Sequence, residues 1–276
     1  MPTSHATTPI TSHNIADDLV HYIVFARFPE RGKVKTRLAA HIGEARACAL
    51  YEAMLKDTLE IVQSRTSATN ADVLLCVTPD SAVERFQPWL RANNIDYPNV
   101  YCFAQQGAML GERMFNAFRI AEDRHALPAL ILGTDSPTIP DQVFTQAEQA
   151  LQDPHTAVLG KTDDGGFYMM GLHRADESFF LGGDYSNDTV YERTLAALQA
   201  HTAHGKHAIT HVEQLPVWYD VDDMAGIERL RSEAQHDASL RYFHTLRTLM
   251  SWQMGKQIDR QMDTCADTKV LTNENV

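Results

Sequence analysis

Apolar residues in this chain fall into short continuous runs separated by longer stretches in which they recur every three or four positions. The runs HYIVFAR (21–27), DVLLCVT (72–78), VYCFAQ (100–105), PALILGT (128–134), TAVLGKT (156–162) and GFYMMGL (166–172) read as buried strands. VWYDVDD (217–223) reads as a further short strand. From Glu44 to Gln63 the period is helical, with Ala47, Leu50, Tyr51, Met54, Thr58, Ile61 and Val62 on one face. The pattern predicts more helices over 81–92, with Ser81 as cap and a break near Pro88, and over 111–124. It predicts others over 141–153, capped by Asp141, over 187–200, and beyond 223 to about Met250. Strands that are apolar throughout and alternate with helices predict an α/β fold, a mostly parallel sheet covered on both faces.

Composition narrows the partners. The 276 residues include 24 Lys and Arg against 36 Asp and Glu, a formal net charge of −12. Binding a nucleic-acid backbone needs a basic face, so that class is disfavoured. Cys48, Cys76, Cys102 and Cys265 form no CxxC pair and read as free thiols of a reducing compartment. No run approaches the roughly 18 apolar residues of a membrane span. Residues 1–18 lack the basic start and apolar stretch of a secretory signal, so the expected location is cytoplasmic. These residues read as a disordered tail and 255–276 as a polar tail, flanking one domain over 19–254. Homo-oligomerisation is left open.

In a parallel sheet, ligands bind beyond the carboxyl ends of the strands, so residues just after each run carry the candidate chemistry. After the first run, RFPERGKVKTRLA (27–39) holds Arg27, Gly32, Lys33, Lys35 and Arg37, a phosphate-binding candidate without Walker or GxGxxG spacing. After PALILGT stands Asp135, a hard-metal ligand at the end of a buried strand, with Asp141 left to cap the following helix. Asp163, Asp164, Gly165 and Gly166 read either as a hairpin turn or as the acceptor side of a pocket. Asp220 and Asp222 would share one side of the late strand and complete a metal site with Asp135, while another carboxylate of that group caps the next helix. His201, His204, His207 and His211 are crowded, but a glycine and an expected helix end divide them, which favours a surface connection over a metal site.

Together RFPERGKVKTRLA, LGERM (110–114), LILGTDSPTIP, LGKTDDGGFYMMGL and LPVWYDVDD, in this order, closely resemble a bacterial family of glycosyltransferase-A-like proteins. That family is variously called a domain of unknown function or an arsenosugar-biosynthesis glycosyltransferase. It is similar, more distantly, to phospholactate guanylyltransferase and molybdenum-cofactor guanylyltransferase. The resemblance covers about residues 20–235. It implies a nucleotide-diphospho-sugar transferase fold, a three-layer α/β/α sandwich with a mostly parallel mixed sheet. It implies that the Lys/Arg loop holds nucleotide phosphates, and that Asp135 stands at the metal-binding aspartate. The sequence departs from DxD, reading Thr-Asp-Ser, which makes a second ligand from Asp220 or Asp222 attractive. Gly-Lys-Thr-Asp precedes the glycine pair where the family usually has Pro and Ala or Glu, so Lys161 would alter the acceptor pocket.

The expectation is a glycosyltransferase that uses Mg2+ or Mn2+, a nucleotide-activated sugar and a small-molecule acceptor. Lys33, Lys35 and Arg37 would neutralise the diphosphate, Asp135 with Asp220 or Asp222 would hold the metal, and Asp164 would orient the acceptor or take its proton. A nucleotidyltransferase drawing on a nucleoside triphosphate and a phosphorylated acceptor would use the same residues. A non-catalytic nucleotide or sugar-phosphate binder is the third reading.

Overall fold

The computed structural model describes residues 19–67, 69–95, 97–124, 127–180, 188–201 and 208–252. The expected tails at 1–18 and 255–276, Cys265, His204 and His207 lie outside the described residues. The strands are β1 (His21–Arg27), β2 (Val73–Thr78), β3 (Val100–Ala104), β4 (Ala129–Leu132), β5 (Thr156–Thr162), β6 (Phe167–Leu172) and β7 (His211–Trp218). They form one sheet in the order β3-β2-β1-β4-β6-β5-β7. The neighbours β3–β2, β2–β1, β1–β4 and β5–β7 are parallel, and β6 runs antiparallel to both β4 and β5. The six other strands therefore end on the same edge, which collects the loops that follow them.

The helices are α1 (Thr36–Ile42), α2 (Glu44–Thr66), α3 (Val83–Ala92), α4 (Leu110–Glu122), α5 (Asp141–Ala150), α6 (Val190–Ala200) and α7 (Met224–His236), with a last helix, α8, over 244–252. Alternation along the strands assigns the layers. Tyr22 and Val24 of β1, with Val73 and Leu75 of β2, pack against Leu55 of α2, Phe86 of α3 and Phe144 of α5. The intervening Ile23, Leu74 and Cys76 pack against Phe118 of α4 and Leu198 of α6. A third cluster joins Leu38 of α1, Leu50 and Met54 of α2, Ile227 of α7 and Leu246 of α8. The long helix α2 thus serves the sheet with one side and the α7–α8 corner with the other. This is the nucleotide-diphospho-sugar transferase fold.

Four local expectations are corrected. The strand expected at 217–223 is β7, and it ends at Trp218, so Asp220 and Asp222 lie beyond the ladder and strand alternation is not what aligns them. Ser81 caps nothing: a 3-10 turn over Asp80–Ala82 leads into α3, and Pro88 sits inside that helix without ending it. Asp141 is the first helical residue of α5 rather than its cap, and its carboxylate pairs with Arg65. Asp223 does cap α7, accepting from the Gly226 amide at 3.0 Å.

Candidate functional site

Five segments meet at the carboxyl edge of the sheet. The loop between β1 and α1 is pinned at its start by Tyr51, whose hydroxyl accepts from the Arg27 amide (2.7 Å) and donates to the Arg27 carbonyl (2.9 Å). Burial of Tyr51 pushes its hydroxyl up to about 12, so it stays a neutral donor. Exposed Lys33 in the loop and exposed Arg37 in the first turn of α1 flank buried Val34 and Lys35, whose side chain is only 4% exposed. Lys35 takes the left-handed backbone conformation (φ 46, ψ 48), uncommon for a residue with a side chain. That turn carries its ammonium inward, where it lies 2.5 Å from Asp135 Oδ1 and donates also to Asp222 Oδ1. Burial alone would lower the Lys35 pKa, but the charges of Asp135 and Asp222 outweigh it and hold it above the ordinary lysine value. Burial would likewise raise Asp222, yet Lys35 and Arg37 hold it below the usual carboxylate range.

The structure brings Asp135, Asp220 and Asp222 together as expected, though by another route. The Val221 amide donates to the Asp135 carbonyl at 2.8 Å, stitching the segment after β7 to the one after β4. Ser136, which the sequence reading passed over, donates to Asp220 Oδ1 at 2.5 Å. Burial chiefly, with the nearby Asp135 and Asp222 charges, pushes Asp220 up to about 7, against the opposing hydrogen bond from Ser136. Gly226 lets α7 close on this segment, since a Cβ there would lie 2.7 Å from the Asp220 carbonyl oxygen.

Lys35 is the main departure from expectation. It does not stand free on the basic rim; it is the cation between the two carboxylates. Gly32 also departs: with φ +73 it makes the turn that re-aims the chain toward Lys33, and it does not line the cavity.

In the β5–β6 hairpin the turn is present, and Asp164 and Gly166 of that turn also line a cavity. Asp164 Oδ1 accepts from Thr162 Oγ1 (2.6 Å) and the Gly166 amide (3.1 Å), shaping the turn, and the residue still lines the site. Asp163 points the other way, to Arg229 at 2.9 Å. Gly165 has φ +93, and a Cβ there would meet the Asp188 carbonyl oxygen at 2.1 Å. Its own carbonyl accepts from the Tyr191 amide at the start of α6, so this turn is welded to that helix. Lys161 pairs with Glu192 at 2.7 Å and is not among the residues lining the cavity.

Two cavities open along this edge. The first, about 400 Å³, runs from Thr78 and Gln105 past Arg27, Lys33 and Arg37 to Asp135 and Asp222. The second, about 350 Å³, has a floor that includes Met114, Leu132, Phe167 and Tyr168 and carries Asp135, Asp164 and Asp220. Phe25, Leu110 and Asp135 line both, so Asp135 stands in the wall between them. A β-bulge at Gly160–Lys161 offsets the strand just before Thr162, which faces the second cavity.

The donor set fits a divalent cation. Asp135 and Asp222 direct one oxygen each at a single point, and that point already accepts a positive charge. A metal there and the Lys35 ammonium exclude one another. Another grouping, Asp57, Glu60 and His244, comes from α2 and α8 rather than from strand ends. There the Asp57 carboxylate accepts from the amides of His244 (2.7 Å) and Thr245 (2.9 Å) and from Thr245 Oγ1 (2.5 Å), so it caps α8. Of the four clustered histidines, His201 stacks edge-on against Phe179 and His211 pairs with Glu213.

A family model for uncharacterized proteins conserved in bacteria, DUF2064, matches residues 61–187. That span includes the Asp135 segment and the Asp163–Gly166 turn but not the basic loop. The crystal structure of a protein from Desulfovibrio desulfuricans G20, provisionally named a nucleotide-diphospho-sugar transferase, is 28% identical, with a TM-score of 0.72 over 89% of this chain and 98% of that one. A 4-diphosphocytidyl-2C-methyl-D-erythritol synthase from Anaerococcus prevotii DSM 20548 is similar at 11% identity and TM-score 0.47 over 79% of this chain and 99% of that one, too remote to inform the site. Proteins of curated function give no match. Among the described residues no helix is long and apolar enough to cross a membrane.

Proposed function

We propose that the protein is a glycosyltransferase, moving a sugar from a nucleotide-diphosphate donor to a small acceptor. The observation that carries this reading is the pair of cavities of opposite character meeting at Asp135. The first combines the length for a nucleotide with the charges of Arg27, Lys33 and Arg37 for its diphosphate. The second is apolar with three carboxylates, and no Lys or Arg lines it. With no Lys or Arg to meet its phosphate, a phosphorylated acceptor is disfavoured there, which supports glycosyl over nucleotidyl transfer. The similarity to the Desulfovibrio protein supports the same class.

Asp135 and Asp222 would hold Mg2+ or Mn2+, which would offset the charge of the departing nucleoside diphosphate. Displaced from the carboxylates, Lys35 would join Lys33 and Arg37 on the phosphates. Asp164, with one oxygen committed to its own turn, would use the other to orient the acceptor hydroxyl or take its proton.

The test is product identity. Incubation with nucleotide sugars, Mn2+ and a panel of uncharged hydroxylated acceptors should release free nucleoside diphosphate. Pyrophosphate released from a nucleoside triphosphate in the presence of a phosphorylated acceptor would replace this reading with nucleotidyl transfer.

A further inference from the structure

The segment LGERM at the start of α4 takes no part in the charge chemistry of the site. Leu110 and Met114 stand four apart, about one helical turn, and both line the second cavity. The polar residues of the same helix hold the loop that precedes it. Glu112 accepts from the amides of Ala108 (2.7 Å) and Met109 (3.4 Å). Arg113 Nε donates to the Gly107 carbonyl at 2.9 Å, and Asn116 Nδ2 donates to the Gln106 carbonyl at 2.8 Å. Gly107 has φ +134, and a Cβ there would lie 2.8 Å from Glu112 Cβ, so glycine is what lets the loop close on α4.

The polar groups of this loop are thus spent on its own helix, and its outward side chains are apolar. Leu110 is 42% exposed and its neighbour Met109 is 56% exposed. Deeper in the cavity, Phe25 and Phe167 are only partly buried, and Ile131 and Leu132 extend the apolar lining. The polar atoms there are few and largely committed. Asp135 meets Lys35, Asp220 Oδ1 accepts from Ser136, and Asp164 Oδ1 accepts from Thr162 and from the Gly166 amide. A sugar or polyol would bury several hydroxyls against carbon without partners, and each would cost free energy. An alcohol with one hydroxyl needs one partner, which the second oxygen of Asp164 supplies.

We propose that the acceptor is an uncharged alcohol with an apolar body, its hydroxyl at Asp164 and its body against Met114 and Leu110. This rests on the glycosyl-transfer reading of the two cavities. The alcohol oxygen bonds to the sugar carbon as that carbon's bond to the diphosphate breaks. The nucleoside diphosphate leaves with the electron pair, and Asp164 takes the hydroxyl proton.

Binding and turnover of the full chain test this separately. Primary butanol, pentanol and hexanol, with glycerol and glucose, are titrated by ligand-observed NMR. Affinity should rise about three- to fourfold per added methylene, and glycerol and glucose should not bind where hexanol saturates. Leu110→Ser, a change at an exposed side chain, should weaken hexanol about fivefold and leave butanol within about twofold. Val217→Ser, at a similarly exposed position on β7, should change neither. Glucose or glycerol binding as tightly as hexanol, no gain with chain length, or an unaltered Leu110→Ser profile overturns the proposal. The same compounds are then supplied with nucleotide sugars and Mn2+. Nucleoside diphosphate released with hexanol and not with glucose supports the proposal. Release with glucose and not with hexanol overturns it while glycosyl transfer stands. If the alcohols bind as expected and no compound releases nucleoside diphosphate, glycosyl transfer falls and the proposed acceptor falls with it.

Discussion

The two cavities share three residues and a wall, yet they are assembled differently. The basic side of the first comes from one short stretch, in which buried Val34 and the inward-turned Lys35 lie between exposed Lys33 and Arg37. The second is built from strand ends and a hairpin distant in sequence, and its chemistry comes from carboxylates backed by an apolar floor. A local loop can place mobile cations for a ligand with spread charge. A rigid strand edge places individual oxygens. The division suits a reaction in which one partner is held by charge and the other by shape, and it can be broken from either side.

Removing the wall should do most. Asp135→Ala is expected to lower turnover about a thousandfold, read as nucleoside diphosphate released, because both the proposed cation site and the junction of the cavities would be lost. Activity within tenfold of the parent would show that the cavities do not work through Asp135. Next in size is a change in the turn that borders the second cavity. Gly165→Ala places a Cβ on the Asp188 carbonyl at a φ of +93 and should cost about 2–4 kcal/mol, seen as a lower urea midpoint. An unchanged midpoint would mean that the turn is not welded to α6.

Lys35→Met sharpens the comparison from the other side. Without the ammonium, Asp135 and Asp222 face one another, so Mn2+ binding to the free protein, followed by electron paramagnetic resonance, should tighten by about tenfold. Nucleoside diphosphate affinity should fall by a similar factor. Mn2+ affinity that falls instead would show that Lys35 supports the cation site rather than occupying it. The smallest effect is that of salt. Raising ionic strength from about 0.05 to 0.5 M should weaken nucleoside diphosphate binding several-fold and leave an uncharged acceptor untouched. Equal sensitivity of both would erase the distinction.

Much of this was legible in the sequence because buried parallel strands leave an unbroken apolar signature, and the residue after each run then names itself. Asp135 and the basic loop were found that way. What failed did so for reasons of context. β7 was placed too late because it is an edge strand with one partner, so Glu213, Gln214 and Pro216 interrupt a run that a central strand could not interrupt. The pairing of Lys35 depends on a left-handed backbone turn and on partners 100 and 187 positions away, which no local pattern encodes.

The Asp57 cap has a consequence for how the protein is made. Asp57 lies in α2, yet the donors it serves belong to α8, nearly two hundred residues later. The same corner supports Leu38, directly behind the Lys35–Arg37 loop. During synthesis the basic loop is complete as a sequence long before its support exists. A nascent chain that has not yet extended past α8 holds the basic residues without the floor that aims them. Under the nucleotide reading proposed above, binding competence would come only once α8 docks, because the basic loop lacks its backing until then.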